Sequence, residues 1–307
     1  MKIPAIDLQN IDLDELDRAC REWGFFTLTG HDISAQLRGE ALRMTAEFFH
    51  QPKAAKNEIR RTASNCWGYF DTELTKNRQD WKEILDIGFA EAEGPLAGAT
   101  PQWPDDHQFV ECIGHLRQAL HDTAISVVQL VVQALGAQLD VGTVFGQHTS
   151  FLRLNFYPPC PNPYDPESHG SATQAGELGI SHHTDAGAVT VLLQDDQPGL
   201  QVLHQGQWQS VPPQPEALII NIGDIVQVWS NDRYPAPLHR VLANSSQQRI
   251  STPYFLNPSY AYDYAPLVND DAAHYRDINW GEFRAGRAAG DYADYGTEIQ
   301  IEHFRIP

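Results

Sequence analysis

Three short motifs hold the residues best suited to chemistry. In Ser181-His182-His183-Thr184-Asp185 an imidazole and a carboxylate stand two positions apart. In an extended chain such side chains point the same way, about 6.6–7 Å apart. His183 and Asp185 can therefore converge on one ion. His182 is the competing donor, but strand parity sends it to the opposite face with Thr184. A lone His-x-Asp carries little weight, because it arises often by chance. The second motif, Pro237-Leu238-His239-Arg240-Val241-Leu242, reads as a later strand. A β fold can bring such a strand alongside the first, so that His239 completes a set of two imidazoles and one carboxylate. Placed on one face of an octahedron, that set leaves three positions open, as in non-haem Fe(II) sites that activate O2. Zinc with a hydrolytic water is the other chemistry open to these donors, and it needs a general base that no motif marks. The third motif, Arg249-Ile250-Ser251, puts a guanidinium and a hydroxyl on one strand face, a pairing suited to a carboxylate. In isolation that pair reads as a solvated surface strand.

These motifs need a scaffold that brings distant strands together. From about Thr149 onward, short apolar runs alternate with Gly, Pro, Asn and Asp turns. The strand candidates are Phe151–Tyr157, Gly187–Leu193, Leu200–His204, Trp208–Val211, Ala217–Ile222, Ile225–Trp229, Leu238–Ala243 and Arg249–Leu256. Their spacing of roughly 8–12 residues predicts a sandwich or barrel. Gln205-Gly206 reads as a hairpin turn and Asn221–Asp224 as a second tight turn. The polar loop between Pro158 and Ile180 (the 162–180 loop) is a lid or a surface insertion; both readings stand.

Upstream the texture is helical. Ile3–Leu8 reads as a strand, Ile11–Trp23 as an amphipathic helix and Gly24–Leu28 as a strand. Ser34 caps a helix to about Phe49, which Pro52 ends. An irregular stretch covers about Asn57–Asp106. A long helix then runs from Phe109 to about Leu139 with an apolar stripe through Ile113, Leu116, Leu120, Val127, Val131 and Leu135. At the end, Ile278–Gly290 reads as a helix and Glu298–Glu302 as an edge strand. The expected architecture is α+β, mainly β. Residues 1–148 form a helical and mixed layer, with the long helix as support, packed on a β core at 149–307 as one compact unit.

Composition narrows the partners. With 21 Lys+Arg against 40 Asp+Glu, the 307-residue chain carries a formal charge of −19. A nucleic acid would be repelled over most of such a surface. No apolar run reaches the roughly 18–20 residues that cross a bilayer, and the N-terminal segment lacks a signal-peptide core. A cytoplasmic monomer acting on a small molecule is expected. The four cysteines (Cys20, Cys66, Cys112, Cys160) form no CxxC pair, which argues against a disulfide frame or a Cys-rich zinc site.

His183-Thr184-Asp185, Leu238-His239-Arg240-Val241 and Arg249-Ile250-Ser251 together resemble the HxD…H…RxS pattern of the 2-oxoglutarate-dependent Fe(II) dioxygenases. The subgroup they are most similar to is that of isopenicillin N synthase and the plant flavonoid and gibberellin oxygenases. The likeness extends along nearly the whole chain. It includes Ile3–Leu8, Trp23–Phe26, Leu154-Asn155-Phe156-Tyr157-Pro158-Pro159-Cys160-Pro161, Pro198–Val202, Asn221–Asp224 and Ser230-Asn231. The resemblance implies a jelly-roll, or double-stranded β-helix, core of the cupin-like kind. It also implies iron held by His183, Asp185 and His239. Arg249 and Ser251 would take the far carboxylate of 2-oxoglutarate, and Tyr157 and Asn155 would contact its chelating end. O2 would be the oxidant, with ascorbate as an accessory reductant and succinate and CO2 as co-products. The substrate would undergo hydroxylation, desaturation or cyclisation. Phe255, by strand parity with Arg249, Ser251 and Pro253, is a substrate-contact candidate, as are Phe151 and Phe70. Two alternatives remain at this level: a 2-oxoglutarate-independent oxidase of the isopenicillin N synthase type, and a non-catalytic ligand-binding relative.

Overall fold

The computed structural model describes residues 3–75, 78–90, 97–165, 176–268, 272–290 and 299–307. Two sheets dominate. The larger has eight strands in the order Ala5–Asp7, Phe25–Thr29, Leu218–Ile222, Val189–Gln194, Arg249–Leu256, Phe151–Tyr157, Glu83–Ile87 and Gly68–Phe70. The smaller has four, Gln207–Ser210, Leu200–His204, His239–Leu242 and Leu178–His183. All pairings within the two are antiparallel except that of the first two strands. The described strands form facing sheets in a jelly-roll arrangement and do not close into a barrel.

Strand alternation sorts the side chains of the large sheet to its two faces. Leu152, Leu154, Val189, Val191, Leu193, Leu218, Ile220, Ile250 and Tyr254 join one core, which includes Leu16, Phe48, Phe49, Leu116, Leu120 and Val128 from the helices. The helices are Leu13–Glu22, Ala35–His50 and His107–Ala134. Each fully buried Leu, Val or Phe there contributes roughly 1.5–3 kcal/mol. The intervening residues face inward. Phe25, Tyr157, Leu192 and Ile219 meet Leu200, Val202 and Val241 of the small sheet in a second core. The inward positions that remain line the cavity described below.

Local chemistry sets the helix ends. Asp12, Ser34 and Asp106 each accept hydrogen bonds from the first-turn amides of their helices, at 2.9–3.2 Å. The Asp106 cap starts the long helix at His107. Its end is at Ala134, short of the expected Leu139, because Gly136 adopts φ +73 and the amides of Gly136 and Ala137 turn back to the carbonyls of Gln133 and Val132. Gln205 and Gly206 both have positive φ and join an antiparallel hairpin, as the turn motif predicts.

Several expectations need correction. Ile225–Trp229 is not a strand but part of the helix Asp224–Trp229, buried on every side. Periodicity cannot separate a short all-apolar helix from a buried strand. Ile3–Leu8 shortens to a strand at Ala5–Asp7 followed by a 3-10 turn at Leu8–Asn10. The Glu298–Glu302 edge strand fails in its described part, where Ile301–Phe304 is a 3-10 helix. The stretch expected to be irregular, Asn57–Asp106, supplies two strands of the large sheet, Gly68–Phe70 and Glu83–Ile87. Most of the 162–180 loop, 166–175, lies outside the described residues. Its final part forms the unexpected strand Leu178–His183.

Candidate metal centre and carboxylate site

His183 is the last residue of its strand in the small sheet, and His239 opens the strand paired to it; the two residues are direct cross-strand partners. Their rings lie 4.3 Å apart. Asp185 is not on a strand. It sits in the turn through which the chain leaves the small sheet for Val189–Gln194 in the large one. His183 and Asp185 therefore converge because the backbone bends between the sheets, not through the parity of one extended strand. His183 Nε2 and His239 Nε2 are 3.5 and 3.7 Å from Asp185 Oδ1. His182 is exposed to solvent. Among the described residues, His183, Asp185 and His239 are the one group of His, Cys, Asp or Glu side chains arranged to hold a metal.

The donors are prepared for that role. His183 Nδ1 faces the carbonyl of Ser181 at 2.8 Å, and His239 Nδ1 faces that of Pro237 at 3.1 Å. A carbonyl only accepts, so the ring proton sits on Nδ1 and the Nε2 lone pair is presented to the site. Burial, together with His183, pushes His239 down to about 4, so it is neutral near pH 7. Burial alone would raise the Asp185 carboxyl. His239, His183 and Thr190 instead hold it well below the usual carboxylate range. Its second oxygen is occupied: Thr190 Oγ1 and Asn221 Nδ2, the latter at 2.8 Å, both donate to Oδ2. Thr190 and Asn221 are themselves cross-strand partners. The motifs did not single out Thr190; Asn221 appeared only within the Asn-Ile-Gly-Asp stretch.

The turn itself is clamped from behind. The amides of Gly223, Asp224 and Ile225 bond the carbonyls of Ala188, Asp185 and Gly187 at 2.8–3.2 Å. A Cβ on Gly223 would come within 2.1 Å of the Gly187 carbonyl oxygen, so only glycine permits this approach.

The same face of the large sheet carries Arg249 opposite Tyr157 and Ser251 opposite Asn155. The Arg249 guanidinium is buried and lies over the Tyr157 ring at 5.1 Å. Its Nη2 donates to Gln194 Oε1 at 2.8 Å, while Nε and Nη1 meet no acceptor among the described residues. Ser251 Oγ lies 3.4 Å from Asn155 Nδ2 and 3.5 Å from the Tyr157 hydroxyl. A buried cation with unmatched N–H groups beside hydroxyls is costly unless an anion completes it. A carboxylate fits.

Both groups of residues line one cavity of about 170 Å³. Phe151, Pro253 and Phe255 form an apolar part of its wall, with the rings of Phe151 and Phe255 4.8 Å apart. Phe70 does not line it. Its ring instead lies beside the guanidinium groups of Arg60 and Arg61, at 5.4 and 5.3 Å. Sequence reasoning missed a buried ionic network at the wall. Lys82 and Arg153 contact Glu73 at 2.7 and 2.9 Å, and Arg153 also contacts Asp86 at 2.7 Å. The C-terminal helix was expected at Ile278–Gly290 and is found at Trp280–Gly290, but nothing in the sequence placed its Trp280, Arg284 and Arg287 at the cavity wall.

Residues 148–258 match the model of the 2OG-Fe(II) oxygenase superfamily. Residues 3–106 match the N-terminal family described as non-haem dioxygenase in morphine synthesis. Gibberellin 2-beta-dioxygenase 5 from Oryza sativa subsp. japonica is 32% identical, covering 99% of this chain and 88% of the relative.

The chain belongs to the 2OG-Fe(II) oxygenase superfamily.

As a member it is an oxidoreductase, a non-haem dioxygenase that uses Fe(II) and 2-oxoglutarate. Flavanone 3-dioxygenase 2 from the same rice is 31% identical over 92% of this oxygenase and 82% of its own length. Among solved structures, that of JOX2 in complex with 2OG, Fe and JA superposes with a TM-score of 0.83 at 29% identity. It covers 100% of this oxygenase and 90% of JOX2. The dioxygenase for auxin oxidation in rice gives 0.73 at 25% identity, covering 99% of this oxygenase and 100% of its own chain.

Proposed function

We propose that His183, Asp185 and His239 hold Fe(II), that Arg249 and Ser251 bind the far carboxylate of 2-oxoglutarate, and that Tyr157 and Asn155 contact the end nearer the metal. The observation that carries this is the buried Arg249 guanidinium, with Nε and Nη1 unmatched, in the cavity that also holds the three donors. Bound there, Fe(II) supplies the redox centre at which O2 and 2-oxoglutarate react to give succinate, CO2 and an oxidised substrate. The chain's own part is positioning. The Ser181 and Pro237 carbonyls orient the two imidazoles, and Thr190 with Asn221 holds one Asp185 oxygen so that the other faces the metal. Gln194 steadies Arg249.

The substrate is a small organic molecule with an apolar face, seated against Phe151 and Phe255. The oxygenase acts as a monomer in the cytoplasm, without nucleic-acid or membrane partners. The net charge of −19 supports this. The surface supports the monomer: among the described residues Ile306 is the one large hydrophobic side chain that is exposed.

The test is succinate formation from 2-oxoglutarate, Fe(II) and O2, with a panel of amino acids, flavonoids and terpenoid acids as substrates. His183→Ala should abolish it. Arg249→Ala should raise the KM for 2-oxoglutarate on the order of 30-fold or more, as expected when a buried charged hydrogen-bond partner is truncated. An unchanged KM in Arg249→Ala would remove the carboxylate assignment.

A further inference from the structure

The C-terminal helix Trp280–Gly290 touches the site in two ways. Trp280, Arg284 and Arg287, on successive turns, line the cavity. Arg287 also reaches the metal turn: its Nη2 donates to the carbonyl oxygen of Thr184 at 3.1 Å. Thr184 is the residue between His183 and Asp185, so this bond holds the peptide that sets the spacing of two of the three donors. The other end of the guanidinium is fixed by Gln300, whose Oε1 accepts from Nη1 at 2.8 Å. The helix is anchored at its start by the buried Trp280, whose Nε1 donates to Thr149 Oγ1 at 2.9 Å. Behind the turn lies the buried Asp224, whose amide bonds the Asp185 carbonyl at 2.8 Å.

We infer that Arg287 is a positioning residue that ties the cavity-lining helix to the metal turn, so that the seating of this helix sets the geometry of the His183–Asp185 pair. This rests on the metal reading above. A molecule filling the cavity presses on a helix hydrogen-bonded to the peptide between two donors, and displacement of that helix draws the donors out of register. A partner held behind the donors commonly contributes 10–100-fold to metal affinity.

The probe is Mn(II), titrated into the full-length metal-free protein and followed by electron paramagnetic resonance. Arg287→Ala should weaken binding about tenfold or more. Arg287→Lys keeps one donor to the Thr184 carbonyl and should recover part of the loss. Gln300→Ala keeps the Thr184 bond but frees the other end of the guanidinium, and should weaken Mn(II) binding less than Arg287→Ala does. The Co(II)-substituted protein adds a readout that general loss of stability does not move. Its ligand-field absorption should change in Arg287→Ala at temperatures where circular dichroism shows the fold intact. Wild-type Mn(II) affinity and an unchanged Co(II) spectrum in a folded Arg287→Ala overturn the inference. A wild-type protein that binds neither ion overturns the metal reading instead.

Discussion

Asp185 divides its labour between its two oxygens. Oδ1 faces the imidazoles, and Oδ2 is taken by Thr190 and Asn221. Removing Asn221 leaves a buried oxygen half satisfied and lets the carboxylate rotate. Asn221→Ala should weaken Mn(II) or Fe(II) binding about 10–100-fold, measured by titration of the metal-free protein, with little change in KM for 2-oxoglutarate at saturating metal. At this scale the donors were readable from the sequence, because His-x-Asp, a later His and Arg-x-Ser are chemical types at recognisable spacing. Their supports were not. A threonine and an asparagine in apolar strands look ordinary until strand pairing sets them opposite one another.

The elements around the cavity depend on charges that are largely buried. Glu73 would be raised by burial, yet Arg153, Lys82 and Arg61 hold it below the ordinary carboxylate range. It lies in the segment read as irregular, which the network pins against the Phe151–Tyr157 strand. Glu73→Gln removes the carboxylate that Lys82 and Arg153 share and leaves Lys82 with Asp80 and Arg153 with Asp86. It should cost about 3 kcal/mol in chemical denaturation, the low end of the loss on breaking a buried ion pair. Strands beginning near Phe151, Leu200 and Arg249 were legible from alternation and turn residues. Gly68–Phe70, Glu83–Ile87 and Leu178–His183 were not, since they are short, carry buried charges or follow a long polar loop. The misread Ile225–Trp229 has a simple cause: a short run that is apolar nearly throughout shows no period.

The whole molecule should be acid-sensitive in a defined window. His239 and His148 are both pushed from 6.5 to about 4, His239 by burial and His183, His148 by burial with His121 and Arg117. The unfolded chain therefore takes up these protons first. These two imidazoles make the metal-free protein lose stability as pH drops from about 6.5 toward 4, while Asp224, raised by burial to about 7, takes up its proton in the folded state and offsets part of that loss. Asp185 and Glu73, with depressed values, add their loss only as pH falls further, below the ordinary carboxylate range. Urea midpoints across this range should show the decline, and His148→Asn should flatten part of it. A His148→Asn variant whose midpoint follows pH just as the wild type does would contradict the burial of a neutral imidazole there.

The sequence by itself determined the candidate chemistry: which side chains are of a type and spacing suited to a metal or a carboxylate, and that a β scaffold follows a helical layer. These are properties of residue type and short-range spacing. Only the tertiary structure decided how the donors meet. His183 finds His239, Asn221 finds Thr190 and Arg249 finds Tyr157 through antiparallel register between strands distant in the chain. Asp185 enters because the chain changes sheets beside it. Arg287 arrives from a helix about a hundred positions downstream. Such pairings arise from the packing of sheets and helices around shared cores, and no local pattern encodes which distant residue will lie opposite.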